Sequence, residues 1–221
     1  AEMKRNKPIV LLAVQESGKA LGIADDELKR DEEVVLAAVR RNGKALGYAA
    51  ESLQRNKQVV LAAVEQNGQA LYHAHPSMKD DRDVVMAAVE KDGLALWYAT
   101  RPLKHDKGVV LAAVRQNGLA LEYAAGLLTR DEEVVLAAVE NDGEALEYAD
   151  EALQGDKKVV LAALRQTLKA MRDVDYRLRD DEEVQAVVDG WLQYHEELRE
   201  WDYKNEDRDP KDRDPPPPRP W

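Results

Sequence analysis

The stretch DEEVVLAAVRRNGKALGYAAESLQR, residues 31–55, decides the fold, because the chain writes it many times over. QNGLALEYAA at 116–125 returns the pattern of RNGKALGYAA at 41–50, with Asn-Gly, Ala-Leu and Tyr-Ala at the same offsets. Asn6, Asp31, Asn56, Asp81, Asp106, Asp131, Asp156 and Asp181 stand 25 residues apart. Gly18, Gly43, Gly68, Gly93, Gly118 and Gly143 keep the same spacing, and Leu21 to Leu146 do so in phase. A fixed period of this length marks an array in which one supersecondary unit recurs.

Within the unit, Asp31 suits a helix N-cap, because its carboxylate accepts the orphan N–H groups of the first turn while Glu32 and Glu33 complement the dipole. EEVVLAAVRR follows as a helix whose middle is apolar on nearly every side, as in a helix sandwiched between neighbours. Asn42-Gly43 is expected to end it, with Gly43 in the left-handed conformation of a C-cap. A second helix, KALGYAAESL, is expected to return, with Leu46, Ala49 and Leu53 as one apolar stripe. The apolar spacing never settles into period two, which argues against strands. So short a pair cannot bury its own apolar surface, and stacking on neighbouring pairs must do it. The expectation is an all-α chain: an alpha-solenoid of about seven 25-residue helix-turn-helix repeats over residues 1–180.

The phrase EVVLAAVENDGEALEYA at 133–149, nearly repeated in four other units, resembles the repeat of the uncharacterised domain-of-unknown-function family 4116. The resemblance covers about residues 6–180. It implies tandem helical repeats with no assigned reaction, cofactor or catalytic residue, so no functional residue carries over.

The departures from the pattern are informative. Thr167-Leu168 stands where Asn-Gly belongs, so the seventh unit is expected to fuse its helices or turn differently. Over 181–203, Val184, Val187, Val188, Trp191, Leu192, His195, Leu198 and Trp201 have helical spacing and predict one long C-terminal capping helix, with Gly190 a tolerated weakness. Residues 204–221 form a charged, proline-rich tail whose four consecutive prolines favour polyproline II, either solvated or docked through Trp221. The N-terminal layer shows no such lid. Ile9 and Leu12, the latter in place of the alanine found at 37, 62, 87, 112, 137 and 162, are expected to abut another protein, and the chain to self-associate through this layer.

Composition narrows the function. With 44% hydrophobic and 34% charged residues over 221 positions there is ample material for a core. The 32 basic against 43 acidic residues leave a net charge of −11, which repels phosphate backbones and anionic lipid and predicts no nucleic-acid partner. No apolar run approaches the roughly 20 residues of a transmembrane segment. There is no cysteine, hence no disulfide framework and no thiolate. The chain starts at Ala1 without a methionine, which fits a trimmed chain, a precursor processed by removal of a targeting peptide or simple methionine removal, so cytoplasm and organelle both stay open.

Catalytic chemistry is expected to be absent. Ser17, Ser52 and Ser77 sit in different turns and in no nucleophile elbow. His73 and His75, two apart, point to different helix faces, and His73 shares the column of Tyr48, Tyr98, Tyr123 and Tyr148, which predicts packing at the edge of the core. The acidic clusters at 31–33, 131–133 and 180–183 read as helix caps, not as a calcium loop. No cofactor and no metal are expected.

Two columns carry interest. Gln15, Arg40, Glu65, Glu90, Arg115, Glu140 and Arg165 alternate in sign, which predicts pairing between adjacent layers. Gly22, Gly47, Tyr72, Trp97, Glu122 and Glu147 turn from glycine to large aromatics only in the middle units. With Arg101 and His105 nearby, Tyr72 and Trp97 are the expected partner contacts, since exposed aromatic and arginine side chains anchor interfaces. Ile9, Leu12 and Trp221 are the expected contacts at the ends. The reading is a non-enzymatic protein-protein interaction scaffold or accessory subunit of a larger assembly. The alternatives are a regulatory or substrate-recruiting module of a multidomain enzyme and a nucleic-acid-binding repeat, the last disfavoured by acidity.

Overall fold

A computed structural model describes residues 2–205, 213 and 215–220. Its α-helices are α1 (Lys7–Glu16), α2 (Glu32–Arg41), α3 (Glu51–Gln54), α4 (Lys57–Gln66), α5 (Pro76–Lys79), α6 (Arg82–Lys91), α7 (Arg101–Lys104), α8 (Lys107–Gln116), α9 (Glu132–Asn141), α10 (Glu151–Gln154), α11 (Lys157–Gln166) and α12 (Glu182–Asn205). Each ten-residue helix lies against the next, from α1 through α2, α4, α6, α8, α9 and α11 to α12. A second row is built of six-residue 3-10 segments, Gly18–Ile23, Gly43–Tyr48, Gly68–His73, Gly93–Tyr98, Gly118–Tyr123, Gly143–Tyr148 and Leu168–Asp173. These segments also pack on one another in sequence. The chain is therefore an all-α, solenoid-like repeat closed by a long C-terminal helix. No helix among the described residues is long and apolar enough to cross a membrane.

The core lies between the two rows. Val34, Val35, Ala38 and Val39 of α2 are fully buried with Ala45 and Leu46 of the following segment, and the same positions are buried in every later unit to Val159, Val160, Ala163 and Leu164. Leu36 and Ala37 are only half-buried, so each long helix keeps one open side and is not enclosed all round as VVLAAV suggested. The alanines allow the close spacing of helix on helix.

The aspartate column works as expected and does more. Asp31 accepts the Val34 N–H at 3.1 Å, and Asp131 accepts those of Glu133 and Val134. Five caps also take a cation from the first turn of the preceding long helix, among them Lys7 on Asp31 at 2.7 Å, Arg82 on Asp106 at 2.9 Å and Lys107 on Asp131 at 2.8 Å. Lys57 on Asp81 and Lys157 on Asp181 repeat the pair at 2.9 Å. Glu32 holds the position of these cations in α2, and there the next cap is the neutral Asn56. Glu132 holds it in α9, and Lys158 reaches back to that carboxylate at 2.7 Å. Layers are thus keyed by charge through the caps. In the column of Arg40 and Arg115, Arg115 reaches Glu133, outside its own column, at 3.9 Å.

The junctions differ from expectation. Asn42 is extended at φ −153° and ψ 105°, and among the described residues the one positive φ belongs to Gly126 at 67°. Gly43 is conserved through the repeat for another reason: a Cβ there would come under 3.0 Å from the Ala63 carbonyl oxygen of the next long helix. Gly18, Gly68, Gly93, Gly118 and Gly143 stand the same way on Ala38, Ala88, Ala113, Ala138 and Ala163. The glycine lets two backbones touch.

The expected second helix is also divided. After Gly43–Tyr48 the chain extends through Ala49 and Ala50 before α3 begins. That break frees the Ala50 N–H to donate to the Lys29 carbonyl of the previous unit at 2.9 Å. The same bond recurs from Asp25 to Lys4, His75 to Gln54, Thr100 to Lys79, Ala125 to Lys104, Asp150 to Thr129 and Asp175 to Gln154. A continuous helix would spend that N–H internally, so the break ties each turn to its neighbour.

Unit seven does not fuse its arms. Thr167 caps Leu168–Asp173 by accepting the Lys169 N–H at 3.2 Å. Leu168 carries a side chain where the earlier units have glycine, and the 3-10 segment loses the broad contact with the following helix that its predecessors make. α12 packs instead on α11, where the buried Trp191 indole N–H donates to the Leu164 carbonyl at 2.7 Å.

Candidate functional site

The 3-10 segments place the column of Gly22, Gly47, Tyr72 and Trp97 at the surface, each against a ring one unit on. Gly22 lies beneath the Tyr48 ring and Gly47 beneath the His73 ring. Where glycine gives way to an aromatic, two rings meet: Tyr72 with Tyr98 at 5.4 Å and Trp97 with Tyr123 at 5.1 Å between centroids. The result is an aromatic row along the middle units. Tyr72 is 59% and Trp97 58% exposed.

These rings are held from behind. Lys79 of α5 donates to the Tyr72 carbonyl at 2.7 Å with its ammonium 5.6 Å from the ring centroid. Lys104 of α7 does the same to Trp97 at 2.8 Å and 5.2 Å. Partial burial pulls both ammonium groups below the usual lysine range. The two lysines occupy a donor column, because Gln154 in the same position bonds the corresponding carbonyl, that of Glu147, at 3.4 Å, and Gln54 bonds the carbonyl of Ala49 two residues further on. Their signal was legible as a long polar residue seven positions after every column residue except Glu122, where Thr129 stands, but nothing in the sequence says that it reaches backward. Between Trp97, Tyr98, Tyr123, Leu94, Gln69 and Glu122 lies a hollow of about 340 Å³. Burial, then the hydrogen bond with Glu122, raises the Tyr123 phenol above its usual range. The Trp97 indole N–H has no hydrogen-bond partner among the described residues.

Arg101, at the start of α7, and His105, just after it, are exposed. The His105 ring nitrogen Nδ1 meets the Arg101 carbonyl at 2.8 Å, and its ring covers Gly126, the residue with positive φ. Tyr72 and Trp97 join one row, whereas Arg101 and His105 flank it without a ring contact. Ile9 is 43% and Leu12 66% exposed at the other end of the array. Trp221 lies outside the described residues.

Other constellations resolve into structure. His73 is half-buried between Gly47 and Tyr72, and desolvation lowers its pKa, with Lys44 and Lys79 adding to the effect. His75 caps α5: its Nδ1 lies 2.8 Å from the Ser77 hydroxyl and 3.1 Å from the Ser77 N–H, while Nε2 is 3.7 Å from Glu51. The order Ser-His-Glu has the outline of a triad that the sequence separation concealed. Glu51, however, is paired with Arg55 at 2.5 Å, and the Ser77 N–H, the natural oxyanion donor, is spent on the imidazole.

A family model described as Domain of unknown function (DUF4116) matches residues 6–54, 56–104, 81–128 and 131–184. No curated protein and no solved structure matches the chain. The matched stretches span nearly the whole array of α1 to α11 and reach the first turn of α12, and the chain belongs to that family.

Proposed function

We propose that this chain works by binding protein, as a scaffold or accessory subunit of a larger assembly, with no chemistry of its own. The observation that carries the reading is the aromatic row of the middle units. Tyr72 and Trp97 replace glycine in a column whose neighbours need no ring, they stand exposed, and Lys79 and Lys104 fix their backbone. Rigid aromatics with an open N–H donor beside a shallow hollow are the anchors that protein interfaces favour. Arg101 and His105 would extend that patch along α7.

The test is capture from the native source with the chain and with Trp97→Ala side by side, followed by titration of whatever protein separates the two. Trp97→Ala should weaken that association by about 2 kcal/mol or more. Thermal stability should change little, because the ring is mostly exposed. Equal affinity for both proteins rejects the patch.

A further inference from the structure

α12 outlasts the array it closes. Trp191, bonded to the Leu164 carbonyl, stands 25 residues after Gln166, where α11 ends, so Leu192–Asn205 runs on past its neighbour. One face of that stretch is covered all the same. Leu198 and Trp201 are half-buried and Asn205, in the last turn, is only 2% exposed, and with Trp191 they fall on one side of the helix. Tail residues lie along this stripe. Arg213 shares a hollow of about 480 Å³ with Trp201, Asp202, Tyr203 and Asn205, while the Arg219 guanidinium lies 6.0 Å from the centroid of the Trp191 ring. Pro217, between the two arginines, is half-buried, whereas Pro215, Pro216 and Pro218 are exposed. The segment therefore runs back along α12, antiparallel to it. The lengths agree, since Trp191 to Asn205 rises about 21 Å in an α-helix and Arg213 to Arg219 spans about 19 Å at the rise of polyproline II.

We propose that this outer half of α12 is a docking site for a proline-rich, arginine-bearing segment in polyproline II form, and that its occupant is the chain's own residues 215–219. Four consecutive prolines are extended before they bind, so docking them on an aromatic face costs little conformational entropy. Arg219 is the anchor, a guanidinium set against an indole that its bond to Leu164 holds in place. Charge acts in the same direction. Leu192–Asn205 carries Glu196, Glu197, Glu200 and Asp202 against Arg199 and Lys204, whereas the single charge of residues 215–220 is that of Arg219. The site is thus closed from within, and a similar segment of another protein reaches it only by displacing the tail.

Because the chain has no cysteine, spin labels on Leu192→Cys and Pro220→Cys of the full chain read the distance between helix and tail by pulsed electron resonance. One narrow, short distribution is expected. Arg219→Ala combined with Pro217→Gly should broaden it. The synthetic peptide RDPPPPRP, the sequence of residues 213–220, should broaden it too once it exceeds the roughly millimolar effective concentration of a tethered segment, and the same peptide with glycine for its four prolines should not. A broad distribution in the parent chain overturns the docking, and one that ignores Arg219→Ala with Pro217→Gly overturns the contacts assigned to it. A distribution that the proline peptide leaves narrow overturns the recognition of proline-rich segments. A short distance in a mixture of the two singly labelled chains would put the tail on a neighbouring copy and overturn its placement within one chain.

Discussion

Gly93 rests directly on the Ala113 carbonyl oxygen of the next long helix, so close that any Cβ at that position would have to displace backbone. The contact fixes the distance between the 3-10 row and the helix row. It also anchors a hydrogen bond, since the Gly93 N–H donates to the Gln116 side-chain carbonyl, as Gly43 does to Gln66 at 2.6 Å and Gly118 to Asn141 at 2.7 Å.

Gly93→Ala should therefore cost about 1–3 kcal/mol by overpacking, and Gly93→Asn at least as much. A left-handed cap would tolerate Asn. Urea melts of the two variants separate the cases: an Asn variant as stable as the parent would refute the close-approach account. Gly126→Ala tests the other kind of glycine, at φ 67°, and should cost about 1–2 kcal/mol.

The cap ion pairs predict the acid limb of stability. Lys107 holds Asp131 below the usual carboxylate range of 3.8, and Arg82 and Lys157 do so for Asp106 and Asp181. Arg177 lowers Asp175 to about 2. A depressed folded pKa contributes stability that is complete above the unfolded value and is lost as pH falls through the folded one. The melting temperature should stay level down to pH about 4 and then fall steeply toward pH about 2. Lys107→Met should melt lower at neutral pH yet lose less on acidification. A parallel acid limb in both proteins would contradict this.

Charge keying between layers predicts coupling. Asn56→Asp alone should be neutral or destabilising beside Glu32, and stabilising once Glu32→Lys supplies the cation that Lys57 gives Asp81. A double-mutant cycle reads the sign. Additive effects would show that these positions do not communicate.

Trp191→Phe removes the buried hydrogen bond to the Leu164 carbonyl while keeping most of the packing. An unsatisfied buried carbonyl costs about 1–3 kcal/mol, and α12 should bear it locally. Hydrogen exchange should speed up over Glu182–Asn205 and leave α2 to α8 protected, as expected of an array whose units contact only neighbours.

The sequence by itself determined the period, the caps, the buried valine and alanine columns and the closing helix. Each of these follows from local chemistry: a carboxylate at a helix start, apolar residues at helical spacing, and a face too large to leave bare. The exposed aromatics were also legible, because Tyr72 and Trp97 break a column that the other units keep small or polar.

Only the tertiary structure decided how the turns are built. Asn42-Gly43 looks the same in sequence whether glycine serves a left-handed turn or a backbone contact, and the Ala63 carbonyl that decides between them lies twenty residues away. The break at Ala49-Ala50 was hidden for the same reason. Its helical propensity is overruled by the bond from the Ala50 N–H to the Lys29 carbonyl of the previous turn, a partner that exists only once the layers have stacked.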